Sequence, residues 1–203
     1  SDERNPCETI LKFGRCLAHF TLDKDEIFFT THLALADTYF MPFNKGLENG
    51  AGAGNPVNPN GFKASYLWEE VLQKNVLSDI IMNYVLFDYG EAKTQKKVPH
   101  IMKNAKKLIF PRYHQLDVVN KLTADVRKQG VGKTYLIQHS AGSGKSNSIT
   151  WLAYKLIKEC PDTMEAIRAK GLDIPLFNSV IIVTDRRLLD KQITDNLKAF
   201  GHT

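Results

Sequence analysis

The sequence predicts an α/β fold class: a partial lobe built on a parallel sheet fills the last hundred residues, preceded by a helical linker and a small α+β unit. Three observations lead there. Residues 134–138 (TYLIQ) form a short strand that feeds a glycine loop, and 180–183 (VIIV) form a fully apolar strand. Between the two, apolar residues recur at helical spacing. Near-continuous apolar strands separated by helices belong to a parallel sheet covered on both faces.

The whole chain sets the outer bounds. Its 203 residues suffice for one moderate domain or two small ones, and 43% hydrophobic content is enough to bury a core. No run approaches the ~20 apolar residues that span a bilayer, and the first residues lack the apolar stretch of a secretory signal. No membrane partner is expected, and cytoplasmic residence is the default reading. Cys7, Cys16 and Cys160 are odd in number and lack metal-ligand spacing, so they read as reduced, structural thiols. A net charge of +5 favours a polyanionic partner, but the excess is spread along the chain and identifies no nucleic-acid site.

At the N-terminal end, residues 6–12 suit a short helix. Cys16, Ala18, Phe20 and Leu22 then alternate with other residues at strand period, and 27–31 and 38–42 are β-branched and aromatic. A small sheet is expected, its first two strands joined by the acidic turn Asp23, Lys24, Asp25, Glu26. Residues 44–61 change character: five glycines are interleaved with Asn55, Pro56, Asn58 and Pro59, which predicts an exposed loop or linker. The GAGAG run there lacks the G-x-G-x-x-G spacing of a nucleotide fingerprint.

Helical period returns over 65–86, where Leu67, Val71, Leu72, Val76, Leu77, Ile80, Ile81 and Tyr84 share a face and Trp68 reads as a packing anchor. Lysines 93, 96, 97, 103, 106 and 107 follow, broken by Pro99. Two readings stay open for them, a solvated linker or a nucleic-acid track, although stacking aromatics are not interleaved. Glu91-Ala92-Lys93 spells the Glu-x-Lys of metal nucleases, but no partner carboxylate on an adjacent strand is visible.

In the last hundred residues, 112–126 predicts an amphipathic helix through Leu116, Val119, Leu122 and Val126. After the glycine loop, Ile149, Leu152, Ala153, Leu156 and Ile157 form one apolar helical face, ended by Pro161. A further helix over 164–170, capped by Gly171, precedes the second apolar strand.

The loop HSAGSGKS at 139–146 carries the clearest chemistry. A triphosphate needs converging donors with no side chain in the way, and a helix N-terminus provides N–H groups and partial positive charge. Ala141, Gly142, Ser143 and Gly144 supply the backbone, the two glycines allowing the tight curl. Lys145, the catalytic candidate, reaches the β- and γ-phosphates, and the Ser146 hydroxyl joins the coordination of Mg²⁺. ATP and Mg²⁺ are the cofactors this implies. His139 stands where the strict G-x-x-x-x-G-K-S/T pattern has glycine, and it reads either as a core histidine or as a polar wall of the site.

Two flanking elements extend the site. Phe110, Arg112, Tyr113 and Gln115 open the upstream helix, and glutamine pairs bidentately with the N6 and N7 edge of adenine. Arg112 and Gln115 are therefore ATP-binding candidates, similar to the Q motif of helicases. Downstream, Val183 to Gln192 (VTDRRLLDKQ) resembles motif Ia of such motors. Arg186 and Arg187 are DNA-binding candidates, with surface salt bridges as the competing reading.

Taken in order, FNKG from Phe43, GAGNP from Gly52, YLWEEVL from Tyr66, FPRYHQLDVV from Phe110, LIQHSAGSGKS from Leu136 and VTDRRLLDKQ from Val183 resemble the restriction (R) subunit of type I restriction enzymes. The resemblance covers nearly the whole chain. It implies an N-terminal nuclease joined to a RecA-like, superfamily 2 motor that translocates double-stranded DNA with ATP and partners modification and specificity subunits. On that map residues 1–43 end a nuclease-like domain, 44–105 are linker, and 106–203 begin the first RecA-like lobe. The chain would then be a fragment, without the acidic Mg²⁺-holding pair, the arginine finger or the nuclease metal site, and inactive by itself. A non-catalytic nucleotide-binding or interaction module is the alternative. A small-molecule kinase fits less well, given the element at Arg112 and Gln115 upstream of the loop.

Overall fold

The computed structural model describes residues 4–47, 50, 52–88, 107–158, 175–185 and 187–200. The chain divides into two compact units, Ser1–His114 and Gln115–Thr203.

In the first unit, β1 (His19–Leu22), β2 (Ile27–Thr30) and β3 (Met41–Pro42) form an antiparallel sheet in the order β1-β2-β3. His19 pairs with Thr30 and Leu22 with Ile27, so four residues close the first hairpin. Asp23 closes it chemically. Its carboxylate accepts the N–H groups of Asp25 and Glu26 at 2.7 and 2.8 Å, which also holds its own ionisation below the ordinary carboxylate range. This is the acidic turn the sequence predicts. Residues 6–12, predicted as a helix, form turns instead.

The core of this unit is aromatic. Phe20, Phe29, Phe43 and Phe110 meet with ring centroids 5.4 to 6.5 Å apart, mostly edge-on or tilted, as the ring quadrupole favours. Tyr66 is buried and its hydroxyl donates to the Phe43 carbonyl at 2.6 Å; burial holds that phenol protonated well beyond the ordinary tyrosine range. Tyr113 packs on both Phe43 and Tyr66.

The glycine-rich segment is not a plain linker. Asn55 is buried; its side chain accepts the Lys45 N–H at 2.7 Å and donates to the Asp25 carbonyl at 2.8 Å and to Asn44 Oδ1 at 3.0 Å. Asn44 Oδ1 in turn accepts the Ile27 N–H at 2.8 Å. At Gly46 the backbone has φ +82°, and a Cβ would collide with the Gly50 backbone, so the loop needs glycine there. Composition alone hides such a loop because its order comes from two side-chain amides, Asn55 buried and Asn44 half-buried.

The predicted helix over 65–86 is broken. A π-helical turn (Leu67–Val71) is followed after Gln73 by α1 (Lys74–Asn83), and Leu86–Asp88 is β4, paired antiparallel with β5 (Lys107–Ile109). Leu67, Val71, Ile80 and Tyr84 are buried, while Leu72 and Ile81 are exposed and Trp68 is 43% exposed rather than an anchor. The extra residue of a π turn rotates everything after it off the single face that a uniform 3.6 period assumes. Glu91, Lys93, Pro99 and the lysines before 107 lie outside the described residues, as does Cys160; Cys7 and Cys16 are free thiols.

The second unit contains α2 (Tyr113–Gln129) from Gln115 onward, α3 (Lys145–Lys158) and α4 (Arg187–Phe200). Leu116, Val119, Leu122 and Val126 of α2 are all buried, as their spacing predicts. The predicted parallel sheet is the main correction. Residues 134–138 and 180–183 are not strands, and every sheet among the described residues is antiparallel. Leu136 is 96% exposed, Ile181 86% and Val183 88%. An apolar segment becomes a strand only when another strand satisfies its backbone, and neither segment has one among the described residues.

The inward face of α3 only partly follows its pattern: Ala153 of the predicted stripe is buried and Leu152 and Leu156 are half-buried. Thr150, Trp151 and Ala153 are buried with Ser146 and Ser148, whereas Ile149 and Ile157 are exposed. The helix packs on α4. Tyr154 donates its hydroxyl to the Leu197 carbonyl at 2.6 Å, and burial raises its ionisation above the ordinary range. The helix expected over 164–170, with Pro161 and Gly171, lies outside the described residues.

Candidate functional site

The phosphate loop, 139–146, runs from the irregular segment 134–138 into the first turn of α3. Tyr135 anchors that segment by donating its hydroxyl to Asp125 of α2 at 2.6 Å, a bond that raises the phenol's ionisation. Gly142 and Gly144 hold φ values of +73° and +78°, the left-handed conformation that curls the chain back before the helix starts. The Ser143 N–H closes the curl on the Ser140 carbonyl at 3.4 Å.

Gln115 is built into the loop. It is buried, and its side-chain amide donates to the carbonyls of Ser143 and Gly144, each at 3.0 Å. A Cβ on Gly144 would collide with that amide nitrogen. The third residue of α2 therefore fixes the two loop residues that precede the lysine.

Lys145 opens α3 and is exposed. Its ammonium donates to the Ser140 carbonyl at 2.8 Å and more loosely to the His139 carbonyl at 3.4 Å. His139 is half-buried. Ser146 is buried, and its carbonyl accepts the Thr150 hydroxyl at 2.9 Å. The neighbouring Ser148 hydroxyl is buried with no partner among the described residues. The Asn147 and Ser148 N–H groups both turn to the Gly144 carbonyl, at 3.0 and 3.4 Å. Helix geometry leaves the N–H groups of Lys145 and Ser146 without an intrahelical acceptor, so they point out of the helix start where an anion is favoured.

Residues 114–203 match the family model of the SWI2/SNF2 ATPase. The matched stretch begins one residue before Gln115 and takes in the phosphate loop, α3 and α4. This part of the chain is similar to a nucleotide-binding, helicase-like ATPase motor. No curated protein and no solved structure matches the chain.

Against that match, the sequence-derived candidates fall into three groups. Gln115, Ser143, Gly144, Lys145 and Ser146 come together around one loop, with Ala141 and Gly142 at its exposed turn. Arg112 lies in the first unit and donates to the Met41 sulfur at 3.3 Å. Arg187 is exposed at the start of α4, and Arg186 lies outside the described residues. Among the described residues no group of three or more His, Cys, Asp or Glu is placed to hold a metal, and no helix is long and apolar enough to cross a membrane.

Asn147 adjoins the loop, and Asn196 reaches it through Asn147; neither stands among the candidates read from the sequence. Asn147 lies beside Gly144, and its Oδ1 accepts a hydrogen bond from Asn196 Nδ2 at 3.0 Å. Forty-nine positions separate the pair, and no local spacing rule reaches that far. Helix-interior asparagines carry no sequence signal of this kind.

The loop fits a nucleotide triphosphate. Its cradle is backbone, its two glycines hold left-handed φ values, and its one lysine is exposed and donates to main-chain carbonyls, weaker acceptors than an anionic phosphate. Lys145 would then place its charge on the β- and γ-phosphates and Ser146 would offer its hydroxyl to Mg²⁺.

Proposed function

We propose that this chain is part of the restriction subunit of a type I restriction enzyme and that its second unit belongs to the first RecA-like lobe of an ATP-driven motor on double-stranded DNA. Beyond the match over 114–203, the support is the way the resembling segments meet in the first unit. Phe43 and Lys45 of FNKG, Asn55 of GAGNP, Tyr66 of YLWEEVL, and Phe110 and Tyr113 of FPRYHQ form one cluster. Lys45 completes it: its ammonium lies 4.8 Å from the Tyr66 ring centroid and 5.7 Å from that of Tyr113, and it pairs with Glu70 at 2.7 Å. Segments scattered over seventy residues of sequence thus serve one packed unit.

In this reading ATP is the fuel and Mg²⁺ neutralises its phosphates. Lys145 leaves the Ser140 carbonyl to bind the β- and γ-phosphates, while Gln115 keeps the loop curled. Arg186 and Arg187 touch the DNA backbone, and modification and specificity subunits select the sequence in a cytoplasmic complex. Site-specific DNA cleavage is a property of that assembly.

The test is nucleotide binding and turnover in parallel. The chain alone binds Mg·ATP and does not hydrolyse it, and Lys145→Ala abolishes the binding. A DNA-stimulated ATPase in this chain alone, lost on Lys145→Ala, refutes the assignment to one part of a larger motor. Absence of any Lys145-dependent nucleotide binding refutes the site itself.

A further inference from the structure

We propose that Asn196 is a positioning residue for the phosphate loop, acting through Asn147 to tie α4 to the Gly144 edge of the site; this rests on the nucleotide-binding reading of that loop. Gly144 lies between two side-chain amides. On one side Gln115 of α2 donates to its carbonyl. On the other lies Asn147, whose N–H donates to the same carbonyl at 3.0 Å and whose Nδ2 lies 4.0 Å from where a Gly144 Cβ would be. The Asn147 Oδ1 is committed to Asn196 Nδ2 at 3.0 Å, and this fixes which end of the amide faces the loop.

The link has a mechanical consequence. Asn196 is nine residues after Arg187 on the same helix, roughly 13–14 Å along its axis. The adjacent residue, Leu197, receives the Tyr154 hydroxyl, so α4 is fastened to α3 at two places two turns apart on α3. Only the asparagine fastening reaches the loop. When Lys145 gives up the Ser140 carbonyl for a phosphate, the loop loses a restraint, and the Asn147–Asn196 bond keeps its Gly144 edge in register. A preformed edge spares the ordering cost that binding would otherwise carry.

Titration with a fluorescent ATP analogue in Mg²⁺ tests this, using the wild type, Lys145→Ala, Asn196→Leu, Asn196→Asp, Asn147→Leu and the double variant Asn147→Leu/Asn196→Leu. Tyr154→Phe serves as a control that loosens the same helix pair away from the loop. Each asparagine variant weakens binding about 2- to 10-fold, the range one hydrogen bond commands. The double variant binds no more weakly than the worse single one, because both remove one link. Asn196→Asp, nearly isosteric but without the donor, loses affinity while melting like the wild type, and Tyr154→Phe binds like the wild type. Equal weakening by Tyr154→Phe overturns the proposal in favour of simple helix packing. Wild-type affinity in Asn196→Leu, with binding still lost in Lys145→Ala, overturns the proposal alone. Failure of Lys145→Ala to reduce binding removes the nucleotide reading and this inference together.

Discussion

The side-chain amide of Gln115 occupies the space in which Gly144 would carry a Cβ, and it donates to the Gly144 carbonyl at 3.0 Å. A helix that begins thirty residues upstream thereby sets the shape of the phosphate loop. The glycine is required twice over, by its φ of +78° and by this approach.

That double requirement separates by mutation. Gly144→Ala costs about 1–3 kcal/mol for the left-handed backbone alone, and the collision with Gln115 adds to it. Gln115→Ala removes the collision and the donor to two loop carbonyls. In the double variant Gly144→Ala/Gln115→Ala, part of the loss from Gly144→Ala returns, so the two changes are less than additive in urea unfolding and in nucleotide affinity. Strict additivity would show that Gln115 does not define this space.

The second prediction concerns acid. His19 of β1 is buried, and burial first and the Arg4 charge second hold its imidazole below the ordinary value of 6.5. Its Nδ1 faces the Cys16 sulfur at 3.6 Å rather than a carboxylate. With the folded value depressed, the unfolded chain takes up a proton first as pH falls past 6.5. Stability is therefore full above that pH and declines below it, by at most about 1.4 kcal/mol per pH unit from this one group. Asp23, also depressed but from an ordinary value of 3.8, acts only at lower pH. Denaturant unfolding at pH 7.5 and 5.5 measures the difference, which His19→Gln reduces. An unchanged difference in that variant would remove His19 as the cause.

What the sequence makes legible divides along physical lines. The hairpin at Asp23, the buried stripe of α2 and the curl at Gly142 and Gly144 are local: a carboxylate reaches its neighbours' N–H groups, apolar residues recur every turn, and glycine alone takes positive φ cheaply. Failures occur where the outcome depends on a distant partner. Of the predicted face of α3, Ala153 is buried but Ile149 and Ile157 are exposed, and Trp151 is buried instead, where α3 is fastened to α4 through Tyr154. Asn55 reads as loop and is buried because the Lys45 N–H and the Asp25 carbonyl converge on it. Gln115 also bonds to the carbonyls of Ser143 and Gly144, 28 and 29 positions away, a contact that no local spacing reveals.

The exposed apolar segments of the second unit yield the last prediction. Leu136, Ile181 and Val183 stand almost fully in solvent on irregular backbone that pairs with no strand among the described residues. Exposed apolar area of this kind drives association. The isolated chain therefore self-associates at micromolar concentration and binds an apolar fluorescent dye. Leu136→Lys, Ile181→Lys and Val183→Lys combined shift sedimentation toward the monomer and lower dye fluorescence, with little effect on helix content, since none of the three lies in a helix. Association that persists unchanged in the triple variant would place the sticky surface elsewhere, and a monomeric wild type would show that these segments are covered in solution.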